Sequence, residues 1–214
     1  MNRPWHTTAL LEVTAMVALL LSYIWGWQGF FRGGFLLVTA LYFAIGYVSH
    51  RRRGETAREL GLRFDNGWAA ARNAAVIVSV GLCVPLAVGA ALGTWHFHGW
   101  SSSLAGLPWG LAWGTAQQYG LLCFLYRRLL EILDSPQAAT LGAAAIFAAF
   151  HVPNPFLLGV TFVAGLASCT LYRREPNVFV LGIAHAAISF VLYGALPRTV
   201  THGLHVGPGY FTAH

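Results

Sequence analysis

The chain contains no lysine and only seven acidic residues, and charged side chains make up 9% of its 214 residues. A water-soluble domain usually carries about 25% charged residues. So little charge cannot cover a water-facing surface, which excludes a soluble globular domain and leaves lipid as the solvent that fits. Cysteine is also scarce. Cys83, Cys123 and Cys169 each lie within an apolar run, and there is no CxxC pair. That excludes a disulfide framework and a cysteine-based metal motif; the three thiols read as small buried side chains, with Cys123 near a polar cluster.

What is abundant is apolar: 57% of the residues are hydrophobic. Apolar segments run over about 8–27, 34–49, 73–94, 106–126, 137–152, 156–172 and 177–195. Several reach the ~20 residues that span a hydrocarbon core; 34–49, 137–152 and 156–172 are short. Backbone groups in lipid must bond internally. The pattern therefore predicts an all-α, polytopic transmembrane bundle of about seven helices, in a single transmembrane domain over 1–214. The first segment continues to Trp27, carries Glu12 and has no clear small-residue cleavage site, so it reads as a retained helix and not a signal peptide.

The net charge of +6 comes from thirteen arginines. They cluster between apolar runs and form no basic face, which argues against nucleic acid as a partner. If the chain threads alternately, Arg3, Arg51, Arg52, Arg53, Arg58, Arg63, Arg72, Arg127, Arg128, Arg173 and Arg174 fall on one side, with only Arg32 and Arg198 on the other. The positive-inside rule then puts the N-terminus in the cytoplasm. Trp25, Trp27, Trp95, Trp100 and Trp109 lie near segment ends, as an interfacial aromatic belt would place them. The stretch Glu55–Arg63 reads equally as a short interfacial helix ended near Gly61 or as a solvated loop. No inverted repeat supports a transporter.

Few polar groups lie inside the apolar runs: Glu12, Gln117 with Gln118, His151, and His185 with Ser189. Such groups are costly in lipid and are functional candidates by default. Plainer readings stand beside each. A lone histidine bonds a backbone carbonyl on the next helix, a glutamine pair joins helices, and Glu12 sits near the cytoplasmic end or bonds a partner. The remaining histidines (His6, His50, His96, His98, His202, His205, His214) read as solvated. Phe147 and His151, like His185 and Ser189, are four residues apart and share a helix face. Adjacent Gln117 and Gln118 point about 100° apart, so one can face a cavity while the other bonds a neighbouring helix. Gly106, Gly110, Gly114, Ala116 and Gly120 on the same helix allow close approach. Pro153 and Pro155 flank Asn154, so the fifth helix is expected to end at about His151, at the lip of a protected or wet cavity.

In this order the fragments resemble a known family over about residues 50–195. Phe147-Ala-Ala-Phe-His151-Val-Pro-Asn-Pro155 is similar to the FxxxH motif of the CPBP family, the CAAX proteases and bacteriocin-processing enzymes. His185-Ala-Ala-Ile-Ser189 is similar to its HxxxN motif, and Glu59-Leu-Gly-Leu-Arg63 before a membrane helix is frequent there. Gln117-Gln118 stands where the family has a glutamate pair. The resemblance implies an intramembrane endopeptidase in a bacterial-type inner membrane, related to the type II CAAX prenyl endopeptidases. Its partners are the bilayer and transmembrane or prenylated peptides. Gln117 and His151 would take the water site, His185 and Ser189 the oxyanion site, with Phe147 and Asn154 as substrate contacts.

The EExxxR motif reads Gln117-Gln118-Tyr119-Gly120-Leu121-Leu122. Glutamine cannot act as a general base near neutral pH. Two anions and a cation are lost together, so the site is rebuilt as neutral without a stranded charge. His151, with an ordinary pKa of about 6.5, is then the base available. No cofactor is expected, and two histidines with neutral amides make a poor zinc site. Two further readings stand beside the protease. One is a catalytically inactive relative that binds a lipid, isoprenoid or transmembrane peptide, or escorts a membrane protein. The other is a different reaction on a lipid or polyisoprenoid.

Overall fold

The computed structural model describes residues 5–31, 33–97 and 100–212, the side chains of 100–104 excepted. Arg3 and Arg32 of the charge pattern, and His98 and His214, lie outside the described residues.

Among the described residues the chain is helical, with no strand. Helix α1 spans His6–Ser22 and runs on through a π-helical stretch, Tyr23–Trp27. Helices α2 (Gly34–Arg53) and α3 (Gly67–Leu92) follow. Helix α4, Trp100–Gln118, passes through a second π-helical stretch, Tyr119–Tyr126, into α5, Arg127–Ile132. Then come α6 (Pro136–Ala149), α7 (Pro155–Arg174) and α8 (Val178–Ala195), with two short helices, α9 (Arg198–Thr201) and α10 (Gly209–Thr212). Each of the seven apolar runs is helical over most of its length. Among the described residues, four helical stretches are long and apolar enough to cross a membrane: His6–Trp27, Gly67–Leu92, Pro155–Arg174 and Val178–Ala195. The chain is an integral membrane protein.

Local chemistry sets the helix ends. Gly54 and Gly93 adopt left-handed φ of 66° and 64° and close α2 and α3, a conformation that costs glycine no Cβ clash. Ser135 accepts a hydrogen bond from the Ala138 N–H at 3.2 Å, with Pro136 opening α6. The stop after α6 falls where proline demands it: α6 ends at Ala149, and residues 150–153 form turns before Pro155 opens α7.

The chain divides into two compact units, one of Met1–Thr56, Gly120–Cys169 and His205–His214, the other of Ala57–Tyr119 and Thr170–Leu204. In the second unit α8 packs along both α3 and α4. The stretch 55–63 is a series of turns, not an interfacial helix. Gly61, at φ 71°, lies so close to Pro176 that a Cβ would stand 2.9 Å from its carbonyl carbon. Its carbonyl accepts from the Val178 N–H at 2.9 Å. Asn177 Oδ1 caps α8 by accepting from Val180 N–H at 2.9 Å, while its Nδ2 donates to Arg63 O and Asn66 Oδ1.

The first unit holds an ion network that joins α1, α2 and α5. Arg128, 0% exposed, donates to Glu131 at 2.8 Å and to Glu55. Arg127 reaches Glu55 at 2.6 Å. Arg53, 5% exposed, bonds Glu131 at 2.9 Å and Glu12 at 2.9 Å, and Ser49 Oγ donates to Glu12 at 2.8 Å. His50 Nδ1 lies 2.6 Å from Glu55. His50, expected to be solvated, is therefore buried, because Glu55 gives it a polar partner out of water. Three carboxylates face three guanidinium groups, which offsets much of the desolvation each would suffer alone.

Two outcomes follow from this network. Replacing Arg128 with Met removes one partner from each of two partly buried carboxylates, leaving Arg127 and His50 on Glu55 and Arg53 on Glu131, and should cost less than the roughly 3–5 kcal/mol of a fully stranded buried charge, read as a lowered thermal midpoint in detergent. Burial alone would raise the Glu55 carboxyl, but the His50 hydrogen bond and the Arg128 and Arg127 charges outweigh it and hold it at about 2 instead of the usual 4.5. A depressed folded value gives stability that is present above the unfolded pKa and lost as pH falls through the folded one. Thermal midpoints should therefore drop as pH falls from about 4.5 toward 2, and the drop should be smaller in Glu55→Gln.

Candidate functional site

The proline-broken end of α6 positions the first histidine. His151 follows the last helical turn, half-buried, and its Nδ1 lies 2.8 Å from the Phe147 carbonyl oxygen. A carbonyl can only accept, so Nδ1 carries the proton and Nε2 keeps a lone pair. The buried Phe147 ring meets the imidazole edge-on at 5.1 Å between centroids. The spacing of four thus has a physical use: one residue supplies both the acceptor that orients His151 and a ring that packs on it.

The break itself is held by Asn154, 0% exposed. Its Oδ1 accepts from the Leu157 N–H at 3.1 Å and caps α7, and its Nδ2 donates to the His205 carbonyl at 3.1 Å. The Gly207 N–H donates to the Val152 carbonyl at 3.0 Å. The backbone groups freed by the two prolines therefore find partners inside the protein, as a membrane site requires.

The second histidine belongs to the other unit. His185, half-buried on α8, has its Nδ1 3.1 Å from Gln118 Nε2 at the end of α4. Of the glutamine pair, it is Gln118, 1% exposed, that bonds the neighbouring helix; Gln117 is half-buried beside it. An amide N–H can only donate, so His185 Nδ1 accepts and its proton sits on Nε2. Ser189 lies one turn along α8, half-buried. Two glycines allow the pair to meet. A Cβ on Gly114 would stand 2.8 Å from the Gly182 carbonyl oxygen, and a Cβ on Gly182 would stand 2.8 Å from Thr115 Cα.

These Nδ1 contacts correspond to the proton on Nδ1 in His151 and on Nε2 in His185. Among the described residues, no group of three or more His, Cys, Asp or Glu side chains could hold a metal ion. The ion network of the first unit escaped the sequence reading, which took the arginines only as topology markers. The i, i+3 spacing of Arg128 and Glu131 and the carboxylate of Glu12 within an apolar run were the signals available.

Residues 118–191 match a family model described as type II CAAX prenyl endopeptidase Rce1-like. The match begins at Gln118 and ends just past Ser189, so it contains both histidine motifs and bears out the resemblance carried by their order. No curated protein and no solved structure matches the chain.

Widening the α4–α8 contact should uncouple this pair. Gly114→Val places side-chain atoms against the α8 backbone and should destabilise by about 1–3 kcal/mol, whereas Gly110→Val, with open space at its Cβ, should leave the thermal midpoint near that of the parent protein.

Proposed function

We propose that the chain is an intramembrane endopeptidase-like hydrolase of the type II CAAX prenyl endopeptidase kind, crossing the membrane about seven times with its N-terminus in the cytoplasm of a bacterial-type inner membrane. What supports the reading most is the complementary pair of tautomers within the matched region. His151 Nε2 has the lone pair a base needs, and His185 Nε2 has the proton an oxyanion donor needs.

In this mechanism His151 takes a proton from water as the oxygen attacks the scissile carbonyl. His185 donates to the carbonyl oxygen as it gains charge, with Ser189 on the same face. The His151 proton then passes to the leaving amine, and the C–N bond breaks. Gln117 orients the water but cannot accept its proton. Phe147 and Asn154 act here by orienting and holding His151. Transmembrane and prenylated peptides are the substrates proposed, because the reaction would take place within lipid.

A second reading is a catalytically inactive relative that binds a lipid, isoprenoid or transmembrane peptide. It is favoured by the neutral Gln117-Gln118 pair and by a groove of about 200 Å³ between α3 and α8, lined by Ala74, Ala75, Val78, Val180 and Ile183.

Cleavage of a membrane-peptide library that includes prenylated peptides, by detergent-purified protein, separates the two. The protease reading expects turnover that falls about 10²–10⁴-fold in His151→Ala. Turnover unchanged by that substitution would remove His151 as the base. Silence in the parent protein with activity gained in Gln117→Glu would transfer the conclusion to the binding reading.

A further inference from the structure

The glutamine pair departs from the glutamates of the resembling family, and the geometry gives one of the two a definite task. Gln118 is buried at the α4–α8 contact, with its Nε2 3.1 Å from His185 Nδ1. Its own carbonyl oxygen is buried with no hydrogen-bond partner among the described residues. The close approach at Gly114 and Gly182 fixes the helices on either side. The amide meets the imidazole nitrogen to nitrogen.

We propose that Gln118 is a positioning residue that locks His185 in its Nε2-protonated tautomer, so that an uncharged imidazole presents a hydrogen-bond donor. The argument is one of valence. Two ring nitrogens share one proton in neutral imidazole. A donor-only group against Nδ1 sends that proton to Nε2. A carboxylate in the same place has only acceptors, so it draws the proton to Nδ1. His185 then either loses its Nε2 donor or binds a second proton and becomes a cation beside an anion. Glutamine and glutamate at position 118 thus dictate different protonation patterns of the same histidine. The amide keeps the Nε2 donor with no charge on either partner, which suits a site where each buried ion carries a large desolvation cost.

This deepens the hydrolase reading, since it concerns the group assigned there to the oxyanion, but its test reads no turnover. Full-length protein labelled with ¹⁵N-histidine in detergent micelles or nanodiscs is observed by NMR above the ~6.5 at which free imidazole titrates. The His185 signals are assigned by their loss in His185→Asn. The expected parent spectrum has a protonated Nε2 and a bare Nδ1 at His185, and the reverse at His151. In Gln118→Glu the His185 Nδ1 should gain a proton while His151 keeps its pattern, which also reports that the protein remains folded. In Gln118→Leu the His185 tautomers should mix.

A parent spectrum with the proton on Nδ1 of His185 would overturn the proposal. So would a bare Nδ1 that persists in Gln118→Glu while His151 is unchanged. A silent cleavage assay alongside the expected spectrum would count against the hydrolase reading and leave the role of Gln118 standing.

Discussion

Water is absent from the hydrocarbon that the apolar helices cross, so each polar group there must find its partner within the protein. That constraint organises everything from the helix ends to the two histidines. It explains why Asn154 is shared between the cap of α7 and the His205 carbonyl. It explains why three arginines and three carboxylates gather in one network. It also explains why each histidine has one ring nitrogen committed to a neighbour. In water those bonds would be exchangeable for solvent. In lipid they fix which atoms remain for chemistry.

The two histidine environments show how little is needed to give one side chain two roles. A backbone carbonyl leaves a lone pair at Nε2 of His151, and an amide nitrogen leaves a proton at Nε2 of His185. The difference in tautomer comes from whether the partner donates or accepts, and the partner lies four residues away in one case and on another helix in the other. In the first unit, buried ions gather in the network around Glu55.

What the sequence made legible was local. Apolar runs show as hydropathy, the end of α6 shows as Pro153 and Pro155, and the shared face of Phe147 and His151 shows as their i, i+4 spacing, although the carbonyl that His151 bonds is that of Phe147 itself and not one on the next helix. The order of the motifs identified the resemblance that the family match over 118–191 bears out. What the sequence hid depends on partners far apart along the chain. Gln118 and His185 are 67 residues apart, and their meeting rests on the mutual approach of Gly114 and Gly182. Periodicity does not encode that register. The stretch 55–63 left helix and loop open because its composition suits both; the packing of Gly61 on Pro176, and the carbonyl it offers to Val178, favour turns. His50 could not be read as buried without knowing that Glu55 turns back toward it.

The ion network also bears on the order in which the protein is assembled, because a chain emerges N-terminus first. Glu12 and Arg53 arrive with the first two helices and can neutralise one another as a hairpin. Glu55 has no such early arginine partner: Arg127 and Arg128 lie 72 and 73 residues further on. Until they are synthesised, the nearby His50 is the partner of its carboxylate that has already been made. The same unit also waits for Gly207, whose N–H bonds the Val152 carbonyl. Residues laid down early are thus held in a provisional state through most of translation, and their unit closes only after α8 has been made.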